Sequence, residues 1–143
     1  MQKILIIHGP NLHLLGLREP DVYGHMTLDE MNAGIKKYVK GKGISLRIFQ
    51  SNCEGRIIDI ITANIKWADF IIINPGAFTH YSYAIRDCIK AVKIPTIEVH
   101  ISDIKNREEF RKKSVIKDVV ISQIYGKGIY SYFDAIELCL KKK

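Results

Sequence analysis

Glu98 and His100 stand two apart in the run "PTIEVH" (95–100), so their side chains share a face if the run is a strand. A carboxylate in that position can accept a hydrogen bond from one ring nitrogen and leave the other to deliver a proton. Tyr23 lies in "GLREPDVYG" (16–24), a long loop-like stretch that contains Pro20 and is bounded by Gly16 and Gly24, as a mobile flap would be. Arg18 is in the same stretch, and a nearby guanidinium favours the phenolate and turns a tyrosine into a base. In "NREEFRKKS" (106–114), Arg107 and Arg111 are four apart, hence on one face if helical, and suited to a carboxylate or to hydroxyls. Taken singly, each feature has a plainer account: a strand-end histidine capping a loop, a packing tyrosine, a solvated charged helix. Together they supply a proton donor, a proton acceptor and cations for an anion.

Several other chemistries lack their residues. No G-x-x-x-x-G-K-[ST] loop is present, and no G-x-G-x-x-G follows the first apolar run. "GKGIYS" (126–131) breaks the glycine-rich pattern and reads as a strand-to-helix turn. Nothing matches G-x-S-x-G, the signature of a serine hydrolase elbow. His80, Glu98 and His100 are the nearest thing to a metal set, but no two histidines have a spacing such as H-x-x-x-H. Neither a metal nor a cofactor is expected.

The elements that must position these groups alternate in period. "KILIIH" (3–8), "SLRIFQ" (45–50), "ADFIIIN" (68–74), "PTIEVH" (95–100) and "DVVISQI" (118–124) suit strands. Between them, helical faces are formed by Leu28, Met31, Ile35 and Tyr38, and by Ile57, Ile58, Ile61 and Ile65. Near the C-terminus Ile129, Phe133, Ile136 and Leu140 repeat the pattern. Thr27 with Glu30 and Ser51 with Glu54 read as capping boxes. Five such units predict a flavodoxin-like doubly wound α/β fold, with five parallel strands in the order 2-1-3-4-5 and helices on both faces. Ligands bind such sheets outside the carboxyl ends of the strands. There the chain places "HGPNLH", "QSNCEG", "NPGAFTH" and "HISD", one polar cluster after each of the first four strands.

The 143 residues, 47% hydrophobic and 26% charged, fit one soluble domain over 1–143, without linker or low-complexity segment. No apolar run approaches the roughly 18 residues of a membrane span. "MQKILIIHGPN" lacks the length and the cleavage site of a signal peptide, so a cytoplasmic location is expected. Cys53, Cys88 and Cys139 are widely spaced and read as free thiols. The net charge of +7 comes without an arginine stripe or base-stacking motif, so a nucleic-acid partner is not expected, while a small anionic substrate is.

Five segments carry a resemblance over about Ile4 to Phe133: "GPNLHLLGLREPDVYG", "QSNCEGRIID", "NPGAFTHYSYAIRD", "PTIEVHIS" and the "REEFRKKS" of 107–114. In this order the chain resembles a type II 3-dehydroquinate dehydratase. The resemblance implies conversion of 3-dehydroquinate to 3-dehydroshikimate and water through an enolate, without cofactor or metal. That is the third step of the shikimate pathway toward chorismate and the aromatic amino acids. It implies Tyr23 as base, assisted by Arg18, with Asn11 stabilising the enolate and His100, oriented by Glu98, protonating the departing hydroxyl. Asn74 and the backbone amides of Ile101 and Ser102 are implied to hold the substrate carboxylate. His80 and Arg111 are implied to hold ring hydroxyls with Arg107 in support, and Asp87 to reach an adjacent subunit's site in a dodecamer of trimers.

The chain departs from the family pattern at His8 and His13, where Asn is usual, at Phe78, often a Tyr, and at Asp103, usually Asn. Asp103 is expected to place negative charge beside the amides of Ile101 and Ser102. Tyr81 and Tyr83 are bulkier than usual and are expected at a subunit contact. A non-catalytic flavodoxin-like binding module is the competing account, against which both a base and an acid are retained.

Overall fold

The runs 4–7 and 70–73 bury every side chain, as strands covered by helices on both faces must. The computed structural model describes residues 1–17 and 19–142. Its sheet consists of β1 (Gln2–His8), β2 (Ile44–Gln50), β3 (Phe70–Asn74), β4 (Thr96–His100) and β5 (Ser122–Tyr125). All pair in parallel in the order β2-β1-β3-β4-β5, which is the topology expected from the alternating periods.

Side-chain alternation sorts the core into two layers. Ile4, Ile6, Ile72, Ile97 and Val99 meet residues of α2 (Leu28–Val39) and α5 (Ile129–Lys141). Leu5, Ile7, Ile71 and Ile73 meet residues of α3 (Glu54–Ala63) and α4 (Tyr83–Val92) on the opposite side. The same alternation aims strand-end polar groups. His8 and Asn74 are register partners on the α2/α5 side, whereas Glu98 and His100 are offset by one position from Ile97 and Val99 and face the other way. At the top of β1 and β3 the chain crosses closely. A Cβ on Gly9 would lie 2.6 Å from the Pro75 carbonyl, so only glycine fits there.

Thr27 caps α2 as expected, with its hydroxyl accepting from the Glu30 amide and Glu30 reaching back to Thr27. Four other local expectations need correction. Ser51 does not form a capping box with Glu54. Its hydroxyl accepts from the Cys53 amide two residues on, Cys53 is the N-cap, and Glu54 instead accepts from Ser82 at the start of α4. Helix α3 stops at Ala63 because Asn64 turns back to the Ile60 carbonyl, leaving Ile65 exposed. The last strand begins at Ser122, four residues later than its apolar run, because residues Lys117–Val119 form a 3-10 turn. In α5 the buried face centres on Tyr132, Ala135, Ile136 and Cys139, with Ile129, Phe133 and Leu140 on its flank.

Candidate active site

At the carboxyl ends of β1, β3 and β4 lies a small cleft of about 110 Å³, open to solvent on one side. Asn11 and Tyr23 line it from the β1 side, Asn74 and His80 from β3, and His100, Ile101 and Ser102 from β4. Arg107 and Arg111 complete the wall. Glu98 stands behind His100, fully buried. Asp87 is exposed on α4 and is not part of this chain's cleft wall. Arg18 lies outside the described residues.

His100 is held from behind. Its Nε2 meets Glu98 Oε2, which also accepts from Thr79 Oγ1 at 2.5 Å, while Glu98 Oε1 accepts from Ser114 Oγ at 2.9 Å. Burial is the largest influence on Glu98 and opposes its ionisation. The hydrogen bond and charge of His100, with the two hydroxyls, outweigh it and hold the carboxyl below its usual range. An ionised Glu98 accepts from Nε2–H, so Nδ1 is the ring atom left for the cleft. Thr79 and Ser114 had no role assigned from the sequence, although both fall inside the motifs that carried the resemblance.

Tyr23 closes the helical turn α1 (Pro20–Tyr23), which a left-handed Glu19 and Gly24 delimit. The nitrogen found donating to its hydroxyl, at 2.6 Å, is Arg107 Nη1, which arrives from 84 residues away. Arg107 Nη2 also pairs with Glu19 at 3.3 Å, so one guanidinium ties the 106–114 stretch to the turn that carries Tyr23. The expectation of Arg107 and Arg111 on one helical face is corrected here. Arg107 is in extended backbone after one 3-10 turn, and Arg111 lies in the next, Glu109–Lys112. Both reach the cleft nonetheless.

His80 Nδ1 is 2.6 Å from the Lys113 carbonyl, which can only accept, so the proton is on Nδ1 and Nε2 carries the lone pair. Burial is the main cause that lowers the pKa of His80, aided by His100 and Arg111 and opposed by the Lys113 carbonyl. A neutral His80 offers an acceptor to a hydroxyl. Asp103 turns its carboxylate onto the Lys105 amide at 3.0 Å and the Asn106 side chain at 2.6 Å, capping a 3-10 turn rather than lining the cleft. Among the described residues, no group of three or more His, Cys, Asp or Glu is placed to hold a metal ion, and no helix is long and apolar enough to cross a membrane.

The chain is 55% identical over 137 residues to the 3-dehydroquinate dehydratase of Caldicellulosiruptor bescii, covering 95% of this chain and 94% of that one. It is 52% identical over 137 residues to that of Halothermothrix orenii, covering 96% and 93%. The crystal structure of type II dehydroquinase from Butyrivibrio crossotus superposes with a TM-score of 0.95 at 48% identity, over 96% of this chain and 97% of that one. The model of the family "dehydroquinase class II" matches residues 2–140, and the chain belongs to that family.

Proposed function

We propose that this cleft dehydrates 3-dehydroquinate to 3-dehydroshikimate, the carbon–oxygen lyase reaction named in its relatives and the third step of the shikimate pathway. The observation that carries the reading is the pair of opposed proton-transfer groups on one cleft, Tyr23 beside Arg107 and His100 backed by Glu98. Arg107 stabilises the phenolate of Tyr23, with Arg18 as a second cation of the same stretch. The phenolate removes a proton from the carbon beside the ketone, and negative charge passes to the ketone oxygen, which Asn11 stabilises. His100 then protonates the hydroxyl that leaves from the neighbouring carbon, so that water departs and the double bond forms. Glu98 holds the ring and balances the imidazolium.

The anionic substrate is oriented by its carboxylate on Asn74 and the amides of Ile101 and Ser102. His80 accepts from a ring hydroxyl, and Arg111 donates to another. Asp87 serves the site of an adjacent subunit, in trimers that assemble into a dodecamer. The reading takes residues 1–143 as one catalytic domain working in the cytoplasm without cofactor. Addition of 3-dehydroquinate to purified protein should produce the ultraviolet absorbance of the conjugated product, unchanged by prolonged chelation. A flat trace from folded protein would refute the activity.

A further inference from the structure

Beneath the cleft, on the α2/α5 side of the sheet, a chain of hydrogen bonds links β1, α2, α5, β3 and the turn that follows β3. His8 Nε2 lies 2.8 Å from Asn32 Oδ1, and His8 Nδ1 lies 2.9 Å from the Tyr132 hydroxyl. Tyr132 Oη accepts from Asn74 Nδ2 at 3.3 Å, and Asn74 Oδ1 accepts from the Gly76 amide at 3.1 Å. His8 and Tyr132 are fully buried, and Asn74 nearly so. With the Asn32 oxygen turned to His8, the directions in this chain follow one from another. Asn32 Oδ1 can only accept, so the imidazole proton sits on Nε2. Burial lowers the pKa of His8 to about 4 despite the Asn32 hydrogen bond, so Nδ1 is a bare lone pair near neutrality. The Tyr132 hydroxyl therefore donates to His8 and turns its own lone pairs to Asn74. Since the Gly76 amide can only donate, the Asn74 oxygen faces it, and the amide nitrogen keeps its second N–H for the cleft.

We infer that His8 and Tyr132 are positioning residues that, together with the Gly76 amide, hold the Asn74 side chain so that it presents a donor, and not a carbonyl, to an anionic group of the ligand. The inference rests on the proposed substrate class and goes beyond it by assigning a task to a buried pair that touches no substrate. A network that only satisfied the core would end in the core. This one ends on an amide that lines the cleft. Without the Tyr132 hydroxyl the amide loses the acceptor for its inner N–H and is held by the Gly76 amide alone, so the donor turned toward the cleft is less well fixed.

The test compares Tyr132→Phe, which keeps the ring, with His8→Phe and with Ile136→Val. Ile136 is a buried neighbour in α5 with no polar atom in the network. A carboxylate anchor is made equally in ground and transition states, so its loss raises KM and spares kcat. Tyr132→Phe should raise KM for 3-dehydroquinate roughly tenfold, the usual worth of a hydrogen bond to a charged group, with kcat within about twofold. His8→Phe should act in the same direction and decides the matter if Tyr132→Phe does not fold. Ile136→Val should lower the urea midpoint while leaving KM unchanged. Calorimetric binding of quinate, which carries the same carboxylate, reads the affinity independently of turnover. An inactive wild type would refute the dehydratase reading, while weaker quinate binding by the two relay variants would still support the relay. A folded Tyr132→Phe with wild-type KM and quinate affinity, or an equal KM rise in Ile136→Val, would overturn the inference.

Discussion

His100 and Glu98 differ in what their removal should cost. His100→Ala deletes the proton donor and should lower kcat by roughly 10²–10⁴. Glu98→Gln keeps size but gives up the charge that steadies the imidazolium, so its loss in kcat should be smaller. Near-native turnover by folded His100→Ala would require another acid. His8 makes a separate prediction about stability. Its folded pKa of about 4 lies below the ordinary value of about 6.5 for an unfolded chain, so the group favours folding fully above pH 6.5. As the pH falls from 6.5 toward 4 the unfolded chain takes up a proton that the buried ring refuses, and up to ~3 kcal/mol should be lost. Urea titrations at pH 7 and 4.5 should show that loss, and His8→Phe should flatten it. A pH-independent midpoint in the wild type would contradict the buried neutral imidazole. At this scale Glu98 and His100 were legible because a strand puts i and i+2 on one face. The Tyr23–Arg107 and His8–Tyr132 pairs were not, since their partners are 84 and 124 residues apart and meet only through the completed fold.

Between residues and fold, the 106–114 stretch is the element on which most of the cleft depends. Arg107 grips the Tyr23 turn, Lys113 fixes the His80 ring, and Ser114 braces Glu98. Its one 3-10 turn, Glu109–Lys112, contributes few backbone bonds, so these ties hold the stretch in place. Ser114→Ala should therefore lower kcat several-fold with little change in urea midpoint, whereas Thr27→Ala at the α2 cap should cost about 1 kcal/mol of stability and spare kcat. A reversal of that pattern would remove the bracing role. Periodicity identified the strands within a few residues but misplaced the start of β5, where the apolar run 118–121 packs as a turn and loop. It also rotated α5 by one position and left out Tyr132, whose buried hydroxyl meets His8 and Asn74 only in the completed fold. The Ser51–Glu54 pattern matched a capping box, yet the carboxylate found a better donor in Ser82 across the helix pair.

For the whole molecule, the sheet brings five separated segments to one rim, and the two polar networks approach it from opposite faces. The Glu98 network positions the acid from the α3/α4 side, and the His8 network orients the anion-binding amide from the α2/α5 side. Asp87, Tyr81 and Tyr83 are exposed in α4 or just before it and do not line this chain's cleft. The proposed mechanism divides the labour, with Tyr23 making the enolate and His100 expelling the hydroxyl. Proton NMR of 3-dehydroquinate in deuterated buffer separates the two steps, because reversible enolate formation replaces a proton beside the ketone with deuterium even when water cannot leave. His100→Ala should exchange that proton above the uncatalysed rate while forming little product, and Tyr23→Phe should neither exchange nor dehydrate. Exchange by folded Tyr23→Phe at the rate shown by His100→Ala would contradict the assignment of the base.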